Sequence, residues 1–286
     1  MKKTTLSLLL AHACQRLDSS PTPELDARLL LCHLLGVGSS FLYCWPEHPL
    51  SATQQQQFET LIERRRQGEP IAYLTGRQGF WDLELRVDAT TLIPRPETEL
   101  LVELTLQRLP TTPLRLADLG TGSGAIALAL AKARPAWQLV ATDASPAALH
   151  VARDNAATLN LAHRVCFLQG DWCDALPAGR FAALVSNPPY IAADDPHLAA
   201  LGFEPATALV AAENGLADLR RIAEQAPAHL LSGGWLLLEH GWQQGAAVRE
   251  LLLQRGFQAV ATVRDYGDQE RVSLGQWYSS QEGLTS

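Results

Sequence analysis

The chain has 286 residues, enough for one domain of about 200 residues and a smaller companion. With 47% hydrophobic and 19% charged residues it is globular and able to fill a core. A formal net charge of -7 argues against binding that rests on nucleic-acid phosphates, and no stretch approaches the ~20 apolar residues of a membrane span.

In chain order, the start MKKTTLSLLLAHAC imitates a secretory leader, but its apolar run is short and the pattern continues helically into CQRLD. Residues 1 to about 75 read as helices. Thr22 is an N-cap with Pro23 at the first helical position, and Gly36 closes ELDARLLLCHLLG. Ser51 and Gln54 form a capping box that opens SATQQQQFETLIERRRQ, which Gly68 and Pro70 stop. The run Glu63-Arg64-Arg65-Arg66 is the one basic cluster and reads as a solvated helix face. The five cysteines, Cys14, Cys32, Cys44, Cys166 and Cys173, show no CxxC pair and no metal-ligand spacing with histidine. Reduced thiols in the cytoplasm and no metal site are expected.

The period then changes. In WDLELRV, Leu83, Leu85 and Val87 alternate with Asp82, Glu84 and Arg86, as in a strand with one buried face. With TLIP after it, a hairpin linking two domains is expected. Pro94 and Pro96 introduce a helix over ETELLVELTLQRL with acids in its first turn. From residue 114, strands LRLADL, QLVATD, VCFLQ, FAALVS and GWLLLEH alternate with helices over AIALALAKA, PAALHVARDNAATL, residues 216 to 231 and QQGAAVRELLLQR. FQAVATV and RVSLGQWY close the chain as an antiparallel pair. The fold class is therefore α/β: a mostly parallel Rossmann-like sheet covered on both faces, with a small N-terminal helical domain. The expected organisation is residues 1–76 helical, 77–96 a hairpin linker and 97–286 the α/β domain.

Ligands of such sheets bind outside the carboxyl ends of the strands. There DLGTGSGA, residues 118 to 125, joins the first buried strand to its helix. Gly120, Gly122 and Gly124 permit positive φ and close approach of the backbone to a ligand. Thr121 and Ser123 complete the turn, and Asp143 ends the next strand at the distance expected of a ribose-binding acid. This motif alone fits a dinucleotide as well as S-adenosylmethionine. The dinucleotide brings an anionic pyrophosphate, whereas the sulfonium favours acidic surroundings. Asp118, Asp143 and Asp171, at or near successive strand ends, have the sign for the cation. Asp171-Trp172 suits an adenine, the carboxylate accepting from its amine and the indole packing on its ring.

The strand FAALVS ends in Asn187-Pro188-Pro189-Tyr190. Proline cannot continue a strand ladder and restricts the residue before it, so Asn187 is held at the strand's mouth. An amide nitrogen is a poor nucleophile because its lone pair is shared with the carbonyl. Asn187 can accept one amide hydrogen through its side-chain oxygen and the Pro188 carbonyl can accept the other. Both favour electron density at nitrogen and stabilise the charge that develops there. Tyr190 packs on the flat amide in this reading, and Pro189 keeps the acceptors in register.

The combination DLGTGSG, TD, GDW and NPPY resembles S-adenosylmethionine-dependent methyltransferases acting on planar nitrogen. From the helical N-terminus through TLIPRPETE to LLLEHGWQQG and RDYGDQERVSLG, the chain resembles the bacterial release factor glutamine methyltransferases. The resemblance implies a seven-stranded class I methyltransferase domain, S-adenosyl-L-methionine as cofactor and the glutamine of a Gly-Gly-Gln tripeptide in peptide chain release factors as substrate. It implies Asn187, Pro188 and Tyr190 as catalytic residues, with Pro189 joining them at the substrate. Gly120, Thr121, Gly122, Ser123, Gly124, Asp143, Asp171, Trp172 and Asn187 are implied at the cofactor. Arg95, Glu97 and Thr98 of LIPRPETE are candidates beside them. Relatives carry a segment close to GDVRFEP where this chain has the shorter LGFEP at residues 201 to 205. A sibling methylating a ribosomal-protein glutamine shares the motif, as do adenine-N6 methyltransferases; a partner-binding domain without catalysis is the third alternative. A cytoplasmic monomer with no direct nucleic-acid contact and no membrane attachment is expected.

Overall fold

The computed structural model describes residues 5–279, and the chain divides into two compact units between Arg77 and Gln78. The first unit holds α1 (Leu6–Arg16), α2 (Pro23–Leu35), α3 (Ser39–Cys44), α4 (Ala52–Arg66) and α5 (Ile71–Thr75). The leader-like run is α1, which buries Leu6, Leu9 and Ala13 against Leu30, Leu31, Phe58 and Ile62; its Met1–Thr4 portion lies outside the described residues. The Ser51 hydroxyl accepts from Gln54 N at 3.2 Å, and the Gln54 side chain accepts from Ser51 N at 3.0 Å. Gly36 ends α2 in the left-handed region at φ 66°. Thr22, in contrast, donates its hydroxyl to Asp26 at 3.1 Å instead of capping backbone. The basic cluster is only partly a solvated face. Arg64 and Arg66 pair with Glu69 and Glu63 near the surface, but Arg65 turns inward to the buried Asp26 at 2.7 Å.

The boundary falls one residue into β1 (Arg77–Phe80), which forms a two-stranded sheet with β2 (Leu83–Arg86). The hairpin therefore pairs β2 with the residues before it and not with TLIP. Trp81 takes φ 57° beside Asp82, closing a two-residue connection that only antiparallel strands allow. Pro94 of TLIP has no N–H to offer a ladder. Phe80, Leu83 and Leu85 sit in the same apolar cluster as Leu101 and Leu128, so these residues are part of the second unit's core.

A single 3₁₀ turn, Pro96–Thr98, leads into α6 (Glu99–Arg108). There follow β3 (Arg115–Leu119), α7 (Ala125–Ala133), β4 (Gln138–Asp143), α8 (Pro146–Thr158), β5 (Val165–Gln169) and β6 (Phe181–Ser186). The short α9 (Ala212–Gly215), α10 (Ala217–His229), β7 (Leu230–Glu239), α11 (Gly245–Gln254), β8 (Gln258–Arg264) and β9 (Glu270–Trp277) complete the unit. Among the described residues the main sheet has seven strands in the order β5-β4-β3-β6-β7-β9-β8. All neighbours are parallel except β9, which runs antiparallel to β7 and β8.

Successive residues of the central strands go to opposite faces. Leu116, Ala183, Val185 and Leu237 join the cluster under α6 and α7. Ala117, Leu119, Leu184, Leu236 and Leu238 join the one under α10 and α11. Burial on both faces is why these strands read as unbroken apolar runs. β7 begins at Leu230, earlier than GWLLLEH suggests, because Leu230 still pairs with Phe181 before a register shift leads to Trp235 opposite Ala183. Among the described residues no helix is long and apolar enough to cross a membrane.

One buried side chain fastens the hairpin to the turn after β3. Asn155 of α8 accepts from Arg86 N at 2.7 Å and donates to Arg86 O at 3.0 Å and Ser123 O at 2.9 Å. Asn155→Ala leaves those backbone groups unpaired and is expected to lower unfolding free energy by about 2–4 kcal/mol, more than one neutral hydrogen bond's worth. Denaturant titration followed by circular dichroism checks this.

Candidate active site

The chain leaves β3 to build β4 and β5 on one side, and returns to build β6 on the other. Between β3 and β6 the strand order reverses, the place where an open parallel sheet parts at its carboxyl edge. There the Ser186 hydroxyl donates to Leu119 O at 2.6 Å, both residues fully buried. The glycine turn thus starts beside Asn187-Pro188-Pro189-Tyr190.

Two cavities open at this edge. The first, about 280 Å³, is lined by Gly120, Gly122, Asp143, Asp171, Trp172, Asn187 and Pro189 of the expected residues. The second, about 180 Å³, is lined by Asn187, Pro188 and Tyr190 together with Leu92 and Arg95. Asn187 borders both. Thr121, Ser123 and Gly124 line neither cavity.

The three glycines do different things. At Gly120 (φ 72°) a Cβ would stand 2.8 Å from Trp172 Cζ3, so the close approach there is made by the indole. At Gly124 (φ 87°) it would meet Leu128 and Ala152, which is helix packing. Gly122 (φ 55°) has no heavy atom within 4 Å of that position and faces the cavity. It is the glycine that leaves backbone open to a ligand.

Asp143 receives Gly122 N at 2.9 Å and Ser145 N at 2.8 Å, one on each carboxylate oxygen, with lone pairs left for ligand hydroxyls. Burial pushes its pKa up, against those two hydrogen bonds. Asp118 is not at the cavity. It is fully buried, accepting from Thr121 Oγ1 at 2.6 Å and Ala127 N at 3.2 Å, while its Oδ1 accepts nothing. Its role is to brace the turn, and the spacing of acids along strand ends could not tell it from its neighbours. Asp171 is exposed, with Arg221 3.6 Å away. Asp218, which sequence reasoning missed, lines the first cavity and hydrogen-bonds the Trp172 side chain. Asp143, Asp171 and Asp218 against the single cation Arg221 make that cavity suited to a cationic ligand and unsuited to a pyrophosphate.

Asn187 donates Nδ2 to Thr98 Oγ1 at 3.1 Å, which leaves its Oδ1 as the acceptor end. Tyr190 donates Oη to Glu239 at 3.3 Å, and its carbonyl accepts from Gln244 Nε2 at 3.0 Å. Burial raises both the Tyr190 phenol and Glu239 above their ordinary values. The backbone of Ile191 is held by Leu209 O at 2.9 Å and by Ala211 N at 3.0 Å, so the segment leaving the motif is fixed. Glu204 of the LGFEP stretch is buried and accepts from Ile93 N at 3.0 Å and from Arg95. It joins the two segments beside the second cavity. Among the described residues no group of three or more His, Cys, Asp or Glu is placed to hold a metal ion.

Burial, assisted weakly by Asp143, pushes the Asp118 carboxyl up to about 7. A carboxyl raised in the folded state stabilises fully below its unfolded value and loses that contribution as pH rises through the folded one. Part of the stability should therefore fall between about pH 4 and pH 7 in urea titrations. Asp118→Asn, which mimics the neutral acid, should show a flatter profile over that window.

Family models and individual proteins resemble this chain along most of its length. One model, described as the PrmC N-terminal domain, matches residues 9–76, and one described as the methyltransferase small domain matches residues 97–268. A protein of Escherichia coli K12 named release factor glutamine methyltransferase is 52% identical over 271 residues, covering 94% of this chain and 98% of its own. One of the same name from Vibrio cholerae is 49% identical, covering 97% and 99%. A methyltransferase structure from Pyrococcus furiosus shares the fold at TM-score 0.55 and 18% identity, covering 77% of this chain and 98% of its own.

Proposed function

The chain belongs to the family of release factor glutamine methyltransferases, and from that premise we propose that it methylates the side-chain nitrogen of the Gly-Gly-Gln glutamine in peptide chain release factors, with S-adenosylmethionine as donor, in the cytoplasm. The observation that carries this reading is Asn187, whose side chain borders both cavities with its donor end already engaged by Thr98.

The residues of the first cavity fit the donor. Gly122 leaves a backbone cradle, Asp143 keeps acceptor capacity for ribose hydroxyls, and Trp172 offers an aromatic face. S-adenosylmethionine supplies the methyl group on a sulfonium when bound, and the acidic lining matches that charge. Asp118, buried in the strand, serves the turn and not the ligand.

The second cavity takes the glutamine amide. Asn187 Oδ1 and the Pro188 carbonyl accept its two hydrogens, fixing the plane of the amide and drawing electron density toward nitrogen. Those acceptors also stabilise the positive charge that grows on nitrogen as it gains a methyl group. Tyr190 walls the cavity, with its hydroxyl held in the interior by Glu239. Leu92, Ile191, Leu201 and Leu209 make most of the remaining wall apolar, with Arg95 its one charged residue, and that apolar lining strengthens each polar contact by excluding water.

Purified protein, methyl-labelled S-adenosylmethionine and a release factor test the reading directly. Label is expected in the release factor and none in its variant with the tripeptide glutamine changed to alanine. Label in a ribosomal protein or in unmodified DNA instead would return the substrate to the sibling or the adenine enzymes.

Removing one preorganised polar partner is expected to raise the barrier by about 3 kcal/mol, so Asn187→Ala should lower kcat about a hundredfold. Asn187→Asp keeps an acceptor oxygen and should retain more. Single-turnover rates read both, and an alanine variant as fast as wild type would remove Asn187 from the role.

A further inference from the structure

The motif that walls the second cavity has little backbone with which to hold itself. Pro188 and Pro189 carry no N–H, so anchoring of the chain past β6 falls on carbonyls and on the residues that follow. The Tyr190 carbonyl accepts from Gln244 Nε2 at 3.0 Å. Gln244 is the N-cap residue of α11, and both ends of its amide are engaged. The same Nε2 donates to Asn214 O at 3.1 Å, and Oε1 accepts from Gly241 N at 2.9 Å. A carbonyl can only accept and a backbone N–H can only donate. The three partners therefore fix which end of the amide is which.

The turn that Gln244 reaches is bent into this contact. Glu213, Asn214 and Gly215 take φ of 54°, 54° and 83°, three successive left-handed residues of which two carry side chains. Such residues are unfavourable and persist only where the surroundings over-determine them. At Gly215 a Cβ would stand 2.1 Å from Tyr190 O and 2.7 Å from Gln244 Nε2, so the turn passes directly over the hydrogen bond and only glycine fits. Gly241 is close as well, its Cβ position 3.1 Å from Gln244 Oε1 and 3.6 Å from Tyr190 Cδ2.

We propose that Gln244 is a positioning residue for methyl transfer. By tying the Tyr190 carbonyl to the Asn214 turn and to the turn after β7, it sets where the Pro188 carbonyl and the Tyr190 ring stand at the second cavity. Tyr190 is then held at both ends, its hydroxyl by Glu239 at 3.3 Å and its carbonyl by Gln244. Gln244 lines neither cavity, so it acts through Tyr190 and not on either ligand. The inference rests on the proposed glutamine substrate.

The test uses the full chain and a release factor, after label transfer by wild type has been shown. Absence of transfer by wild type would overturn the substrate reading and this role with it; the variants bear on the role alone. Gln244→Glu keeps the shape and still accepts from Gly241 N, but at about pH 8 it turns a carboxylate oxygen on the two carbonyls. Gln244→Ala removes the clamp without that repulsion. We expect kcat to fall about fivefold in Gln244→Ala and about thirtyfold or more in Gln244→Glu, while calorimetric affinity for S-adenosylmethionine stays within about twofold. A side chain that only filled space would give the opposite order. Gln243→Glu, the same charge change at the exposed neighbour, should leave the rate at the wild-type value. Tyr190–Ile191 is the one Tyr-Ile pair in the sequence, so ¹³C-carbonyl tyrosine with ¹⁵N isoleucine gives a single correlation that reports on this carbonyl. Without any ligand, that correlation should move in both Gln244 variants and hold in Gln243→Glu. A Gln244→Glu enzyme as fast as Gln244→Ala or faster, a parallel loss of donor affinity, or an unmoved correlation would each overturn the proposal.

Discussion

The hydrogen bond from the Ser186 hydroxyl to the Leu119 carbonyl lies at the point on which the site depends. A parallel sheet that reverses its strand order must open a crevice at one carboxyl edge, and backbone carbonyls at that opening lose their ladder partners. Closing the gap with a side chain lets β3 and β6 end side by side while their continuations diverge. One continuation is the glycine turn, the other the NPPY motif. The geometry of the two cavities is set by that fork before any ligand arrives.

What was legible in the sequence follows from how local each signal is. The elements from residue 114 onward are marked by apolar runs with glycine or proline at their ends, and a mostly parallel sheet covered on both faces follows from their alternation, whereas the strand order does not. The hairpin was legible as a strand but not as a pairing, because β1 reads RQGF and has too little alternation in four residues to show itself. Asn155 and Glu239 were hidden for another reason. Each is a polar residue inside a helix or strand whose partners lie far along the chain, and a polar residue in such a place looks like any exposed one until burial is known. Asp118 shows the converse. Its spacing with Asp143 and Asp171 suggested three equivalent acids, yet it points into the protein while Asp143 points to the cavity.

The polar interior near the site is costly, and its placement shows where the fold spends stability. Asp118 and Glu239 are both fully buried, each with an oxygen short of ordinary partners. Such groups are stable only where neighbours hold them, and each is found one layer behind a segment that must keep its shape. Asp118 stands behind the glycine turn and Glu239 behind the NPPY motif. The rim, by contrast, carries exposed acids that remain solvated.

The wall between the two cavities has a consequence for redesign. Leu92, Asn187 and Ala208 face both compartments, so enlarging one side at Leu92 or Ala208 reshapes the other. An engineer wishing to enlarge the first compartment cannot treat those positions as belonging to it alone. Thr90 and Thr207 border only the first compartment, Leu201 and Leu209 only the second. The shapes of the two compartments are separable at these outer positions and coupled at the partition.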